Sequence, residues 1–182
     1  MRDSGFLPIE TERLLLRRLQ RSDVERFAGY RSDAELARYQ GWKPMSIGEA
    51  AAFIDEMSCA PSLVEEAWLQ IAIAELPDGA IVGDIGLCLH AQGELEIGFT
   101  LRRESQRKGL ATEAIKALIE SLRSRSEVHR VVGFVDARNA ASIRVLERLG
   151  MAMVAREDTV FKGEPCTELR YQLELTPSDG PQ

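Results

Sequence analysis

Two tight-turn signals in the middle of the chain constrain the fold more than any other feature. Pro77-Asp78-Gly79 separates "AWLQIAIAEL" from "AIVGDIGLCLH", and Ala91-Gln92-Gly93 separates that run from "ELEIGFTL". The runs are apolar and rich in strand-forming residues, and the residues between them favour turns. Connections this short fold neighbouring strands back on one another, so an antiparallel meander of three strands is expected. The rest of the chain has to pack around that sheet.

The flanking segments alternate in type. "TERLLLRRL" reads as a strand, although its leucine run suits a helix equally well. "RSDVERFAGYRSD" reads as a short helix capped by Ser22 or Asp23, and "SIGEAAAFIDEM" as a longer one with Ser46 and Glu49 at capping-box spacing. After the meander, a helix from about Ala111 to Arg125 lines up Ala111, Ala114, Leu118 and Leu122 on one face. "VHRVVGFVDA" reads as a buried strand, and "NAASIRVLERLG" as a helix capped by Asn139 and stopped by Gly150. Strands near 151–158 and 167–174 flank the turn at Lys162-Gly163-Glu164-Pro165. The order β-α-α-β-β-β-α-β-α-β-β predicts an α/β (α+β) domain, a mixed sheet with helices on both faces.

A chain of 182 residues suits one domain over 1–175, with the polar "TPSDGPQ" (176–182) as a disordered tail. Cys59, Cys88 and Cys166 are an odd set with no CxxC spacing, and only two histidines are present. A disulfide framework and a zinc site are therefore not expected, and no metal is. No apolar run is long enough to span a bilayer, and "MRDSGFLPIE" lacks the apolar core of a secretory signal. A cytoplasmic protein without a membrane partner is expected. The net charge of -6 argues against nucleic acid and tolerates a cationic partner such as an amine.

Against that acidic background, "LRRESQRKGLATEAI" (101–115) gathers Arg102, Arg103, Arg107 and Lys108 beside Gly109, between an expected strand and an expected helix. A helix start exposes unpaired N–H groups, and its dipole favours an anion. Gly109 allows close backbone approach, and Ala111 is too small to obstruct it. The stretch is neither a Walker loop nor a GxGxxG loop. A solvated basic loop would have the same composition.

The neighbouring motifs narrow the choice. Gln106, Gly109 and Ala111 match the [Gln/Arg]-x-x-Gly-x-[Gly/Ala] signature of the GNAT superfamily of acyl-CoA-dependent N-acetyltransferases, which the chain resembles. "EIGFTL", "RKGLATEAI", "NAASIRVLERLGM", "IETERLLLRRL" and "WKPMSIGEAAAFI" resemble the branch that contains the ribosomal-protein N-terminal (RimJ/RimL-type) acetyltransferases. The likeness runs from about residue 9 to 175. It implies a mixed, mostly antiparallel central sheet of about seven strands.

The resemblance also implies acetyl-CoA as co-substrate and a primary amine as acceptor: a protein or peptide N-terminus, or a small molecule such as an antibiotic, polyamine or amino acid. A non-catalytic acyl-CoA-binding module is the alternative, and a monomer or homodimer is expected. By carry-over, the backbone of Phe99, Thr100 and Leu101 would hold the pantetheine arm, with an N–H of Phe99 or Thr100 freed by a bulge at Gly98. The pyrophosphate would lie on Gln106, Arg107, Lys108, Gly109, Leu110, Ala111 and Thr112. Glu96 is the candidate base, on the same strand face as Glu94, Gly98 and Thr100. Many relatives protonate the thiolate with a tyrosine where this chain has Leu146, which leaves Ser142 as the nearest substitute and Asn139 as a contact to the arm. Tyr39 and Trp42 are candidate acceptor walls. His90 is expected at an exposed turn, His129 and Cys88 are expected to pack, and Cys166 lacks an adjacent base.

Overall fold

The computed structural model describes residues 5–175, so the tail expected at 176–182 lies outside the described residues. The meander forms as its turns dictate. Strands β3 (Trp68–Glu75), β4 (Ala80–His90) and β5 (Glu94–Leu101) pair antiparallel in sequence order. Before them lie β1 (Ile9–Glu10) and β2 (Leu14–Arg18), and after them β6 (Arg130–Asp136), β7 (Ala152–Phe161) and β8 (Glu164–Glu174). All join one eight-stranded sheet in the order β1-β2-β3-β4-β5-β6-β8-β7. The two-residue β1 is the strand beyond the seven expected.

Five helices flank the sheet: α1 (Val24–Arg31), α2 (Ala34–Ala37), α3 (Ile47–Cys59), α4 (Leu110–Leu122) and α5 (Ala140–Arg148). Helix α4 buries Ala111, Ala114, Ile115, Leu118 and Leu122, the face expected from its periodicity, in the larger core with Leu146 of α5. Helices α1 and α3 build a second core on the opposite face around Phe27, Ile54 and Ile81. Ser46 and Glu49 close the expected capping box on α3. The start of α1 differs from expectation. Asp23 makes no side-chain cap to that helix; its carboxylate turns back to the N–H of Gln20 at 2.9 Å and to Arg17 at 2.7 Å.

Two features of the sheet create the site. The β4–β5 register runs unbroken from Gly83↔Leu101 to His90↔Glu94, through Gly86↔Gly98. No bulge interrupts it, which corrects the expectation at Gly98. The opening lies on the other side of β5. Its pairing with β6, reached through the α4 crossover, is the sheet's parallel junction and ends at Glu96↔Val132, although both strands continue. The sheet splits there.

On the α1 side, a buried polar knot ties helix to sheet. Asp84 of β4 accepts from Arg31 Nη2 and from the Tyr30 hydroxyl, each at 2.5 Å, and from Gln70. The Arg31 and Asp84 side chains are only 3% and 1% exposed. Arg31 also lies 4.9 Å from the Phe27 ring centre and 4.4 Å from that of Trp42.

Candidate active site

In an antiparallel pair, backbone polar groups alternate between the two sides of a strand. The Arg102 N–H donates to Val82 O at 3.0 Å, which fixes the phase on β5. Even-numbered residues, Gly98 and Thr100 among them, turn their backbone to β4. Ile97, Phe99 and Leu101 turn theirs to the split. Two side-chain amides agree with the phase: Gln40 donates to Phe99 O at 3.3 Å, and Gln106 donates to Leu101 O at 3.0 Å. Of the two N–H groups expected at the opening, that of Phe99 faces it and that of Thr100 faces Asp84 across the β4 ladder.

A cavity of about 420 Å³ occupies the split. One wall carries Phe99, Thr100 and Leu101, and the opposite wall carries Asn139 and Ser142 of the α5 start. Gln106, Arg107, Gly109, Leu110, Ala111 and Thr112 close one end, and Tyr39 and Gln40 border the cavity from the α2 side. A smaller cavity adjoins it between Gly98, Phe134 and Leu146, again touching Tyr39, Asn139 and Ser142.

The closed end is built for an anion. Arg107 and Gly109 both have left-handed backbone, φ 61° and φ 79°. An alternation of this kind turns successive N–H groups towards one point. A non-glycine residue held there costs about 1–2 kcal/mol, so the strain at Arg107 marks a conformation that the surroundings impose. Helix α4 has no side-chain cap, whereas Ser46 caps α3 and Asn139 caps α5 through the Ser142 N–H at 3.2 Å. The first-turn N–H groups of α4 therefore stay open towards the cavity. Thr112 adds a buried Oγ1 with no hydrogen-bond partner. The acidic residue of that turn, Glu113, is held away by Arg13 at 2.5 Å and by the Thr11 hydroxyl at 2.6 Å. Lys108 stands outside the cavity lining; its carbonyl anchors Arg13 at 3.0 Å.

The catalytic candidates divide. Ser142 lines both cavities, and Leu146, where the resemblance leads one to expect a tyrosine, packs close to Gly133. Glu96 lines neither cavity. It lies 2.8 Å from His90 Nε2, and His90 Nδ1 lies 3.2 Å from Glu66. His90 is thus half-buried and paired, not free at an exposed turn; it pairs with Glu94 across the β4–β5 ladder, which sets it diagonal to Glu96. The hydrogen bond to Glu96, with Glu66 behind it, raises the ring's pKa above its ordinary value.

The two acceptor-wall candidates also divide. Tyr39 borders both cavities, but Trp42 lies against Arg31 and lines neither. The Trp42 carbonyl instead anchors the β7–β8 hairpin tip, where Lys162 Nζ donates to Trp42 O at 2.8 Å and to Ala37 O at 2.7 Å. This latch joins two segments far apart in sequence. Lys162→Met is expected to cost about 1.5–3 kcal/mol, the value of hydrogen bonds to a charged group. Amide hydrogen exchange should rise together in 37–42 and 160–165; a rise in the hairpin alone would mean that the latch holds nothing.

Sequence reasoning missed Phe134, half-exposed over the smaller cavity, and Glu168 of β8, whose neighbours come from three other strands. Period-two patterning put both on definable faces. The split that gives those faces their use has no local signal.

Among the described residues, no group of three His, Cys, Asp or Glu side chains could hold a metal, and no helix is long and apolar enough to cross a membrane. Comparison with known proteins agrees with the geometry. A sequence model of the acetyltransferase (GNAT) domain family matches residues 13–152. The uncharacterized N-acetyltransferase YoaA of Bacillus subtilis is 30% identical over 173 residues, covering 92% of this chain and 97% of its own. The spermidine N-acetyltransferase of Vibrio cholerae, solved with CoA and spermine, superposes with a TM-score of 0.77 at 16% identity, covering 92% of this chain and 98% of its own. The ribosomal L7/L12 α-N-protein acetyltransferase RimL, solved with coenzyme A, superposes with a TM-score of 0.78 at 16% identity, covering 93% of this chain and 98% of its own. A split sheet over an uncapped, basic helix start, in a chain matched by this family along most of its length, makes the protein a member of the GNAT family of N-acetyltransferases.

Proposed function

We propose that this chain transfers the acetyl group of acetyl-CoA directly to a primary amine. The observation that carries the reading is the split between β5 and β6, which leads from a strand edge at Phe99 and Leu101 that β6 does not pair to the donor cluster before α4. Two further facts fit the coenzyme. Thr112 Oγ1 is an orphaned buried donor at the anion end, and the paired left-handed residues at 107 and 109 turn further N–H groups towards it.

When bound, acetyl-CoA supplies the acetyl thioester. The chain's own groups do the rest. Phe99 and Leu101 hold the arm along the open strand edge, in exchange for the side-chain amides of Gln40 and Gln106 that now occupy their carbonyls. The pyrophosphate is held by N–H groups from Arg107 to Thr112, with the charges of Arg107 and Lys108 around them. The Phe99 N–H polarises the thioester carbonyl, a contribution typically worth about 10²–10³ in rate. Glu96, oriented by His90, makes the acceptor side acidic and favours an arriving ammonium. Ser142 hydrogen-bonds the departing sulfur, and Asn139 contacts the arm while capping α5. Tyr39 walls the entrance where both cavities meet.

The likeness to RimL supports a protein or peptide N-terminal amine, and the likeness to a spermidine acetyltransferase supports a small alkylamine. The primary amine is common to both. A cytoplasmic setting fits, since all three cysteines are free thiols. The test is thiol release from acetyl-CoA with and without a panel of primary amines, together with mass spectrometry of each amine. Amine-dependent thiol release with one acetyl group added supports the reading. Tight acetyl-CoA binding with no acetylated amine would make the chain a binding module.

A further inference from the structure

The sheet face that carries Glu96 offers more than that residue. Cross-strand pairing puts Trp68, Cys88 and Glu96 in one row and Gln70, Gly86 and Gly98 in the next. The two glycines differ. A Cβ on Gly86 would lie 3.2 Å from Trp68 Cζ3 and 2.9 Å from Gln70 Oε1, so these side chains already cover it. A Cβ on Gly98 would meet nothing within 4 Å. Across the split, Phe134 lines the small cavity with Gly98. The open floor at Gly98 is therefore flanked by two aromatic rings, Trp68 at 50% exposure and Phe134 at 41%. Phe134 lines the void, and Trp68, outside both cavities, extends the same exposed face beyond it, so the two rings mark a ligand surface.

The charges around the floor are mostly negative and mostly committed. Glu96 is bonded to His90, and Glu94 is paired with Arg170. Glu168 is different: among the described residues its carboxylate has no hydrogen bond or ion pair. It lies opposite Asp136 of β6, which Arg138 engages, and opposite Glu157 of β7, with Glu96 near enough on β5 to repel it. Arg170, two residues along β8, points to Glu94 instead. Burial, then Glu157 and Glu96, push the Glu168 carboxyl above its ordinary pKa. An ammonium placed between Glu168 and Glu96 would relieve that repulsion.

We propose, resting on the transferase reading above, that the acceptor is an unbranched alkylammonium lying over Gly98 between Trp68 and Phe134, and that Glu168 takes its proton. The freed nitrogen lone pair forms the bond to the acetyl carbonyl carbon, the carbon–sulfur bond breaks, and the nitrogen's second proton passes through water to the departing thiolate, while Glu168 returns the first to solvent. An alkyl chain gains apolar contact from both rings and cation–π contact from Trp68; the Phe134 ring already has the Arg170 guanidinium 5.7 Å from its centre. A peptide would fare worse. A sheet face presents side chains, and the free backbone edge at the split is assigned to the pantetheine arm, so the peptide's amides would lose water without replacement.

The experiment compares three acceptors in thiol release: 1,5-diaminopentane, an N-terminally blocked peptide with one lysine, and a lysine-free peptide with a free α-amine. Turnover of the diamine or the lysine peptide at least about tenfold above the α-amine peptide supports the proposal, and the better of the two identifies the source of the alkylammonium. Preference for the α-amine peptide overturns it while leaving the transferase reading intact. Trp68→Ala and Phe134→Ala are each expected to raise the KM of the preferred amine about tenfold with kcat little changed. Glu168→Gln is expected to lower kcat about 10²-fold and to abolish the acid limb of the pH–rate profile, which Glu168→Asp partly restores. Wild-type kcat and an unmoved pH profile in Glu168→Gln would overturn the proton role. Acetyl-CoA affinity should be unchanged in all four variants.

Thermal unfolding supplies the folding control. A carboxyl whose pKa is raised by folding destabilises the native state once the pH is above both its unfolded and folded pKa values. Glu168→Gln removes that penalty, so it should raise Tm at pH 7, and the gain should vanish below the ordinary carboxylate range. Lower Tm at pH 7 would mean that Glu168 is structural.

Discussion

Asp84→Ala is expected to cost about 3–5 kcal/mol of unfolding free energy, the range for removing one partner of a buried ion pair. Most domains have about 5–15 kcal/mol in total. The change leaves the Arg31 guanidinium 3% exposed and without its carboxylate. Arg31 cannot swing out easily, because its charge lies between the Phe27 and Trp42 rings at 4.9 and 4.4 Å. The change also leaves the Tyr30 hydroxyl and the Gln70 amide without the acceptor they share. Urea unfolding at pH 7 is the measurement. The double variant Arg31→Met, Asp84→Leu should recover the part of the loss that comes from the stranded charge, since a buried pair adds little over apolar residues of similar volume, but not the part that comes from Tyr30 and Gln70. A loss under about 1 kcal/mol for Asp84→Ala would mean that water already reaches Arg31. The knot has a consequence at the site as well. Asp84 faces Thr100 across the β4–β5 ladder, and Arg31 holds Trp42, whose carbonyl is one end of the Lys162 latch.

What can be read from the sequence is what local chemistry decides. Pro77-Asp78-Gly79 and Ala91-Gln92-Gly93 specify the meander because a tight turn leaves a strand nowhere else to pair. Ser46 with Glu49, and Asn139, cap their helices from within one turn. The helix start at Leu110 follows from Gly109. The differences fall where a partner is distant along the chain. A bulge at Gly98 is a local cause for the opening beside β5, but the opening comes from a parallel strand that arrives only after α4 and diverges past Val132. Trp42 has the loop position of an acceptor wall, but Arg31 claims its ring. His90 has no partner nearby in sequence on its N-terminal side; Glu66, which meets its Nδ1, is 24 residues away. Asp23 has a residue type suited to capping α1, and the 3-10 turn before the helix claims it.

Gly109→Glu is expected to abolish acetyl-CoA binding, with at least about a 100-fold loss of affinity in calorimetric titration, the size of effect that a like charge placed against a diphosphate can produce. Two effects separate here. Gly109 has φ 79° and ψ 2°, so any side chain there bears about 1–2 kcal/mol of left-handed strain. Strain alone weakens the fold more than the site, and Gly109→Ala isolates it: Tm should fall while affinity stays within about tenfold. Glutamate adds a negative charge at the positive end of α4, where the diphosphate would lie, and there two like charges repel strongly. The nearest atom to a Cβ at this position is Arg13 Nη2 at 3.7 Å, and Arg13 is the group that holds Glu113 away and supports the Lys108 carbonyl. A glutamate at 109 would compete for Arg13 and disturb the turn as well as fill it. If Gly109→Glu binds acetyl-CoA as wild type does, the phosphates are held elsewhere and the strain at Arg107 needs another cause. If Gly109→Ala already abolishes binding in a folded protein, backbone shape outweighs charge, and the left-handed pair at 107 and 109 is the main determinant of the cradle.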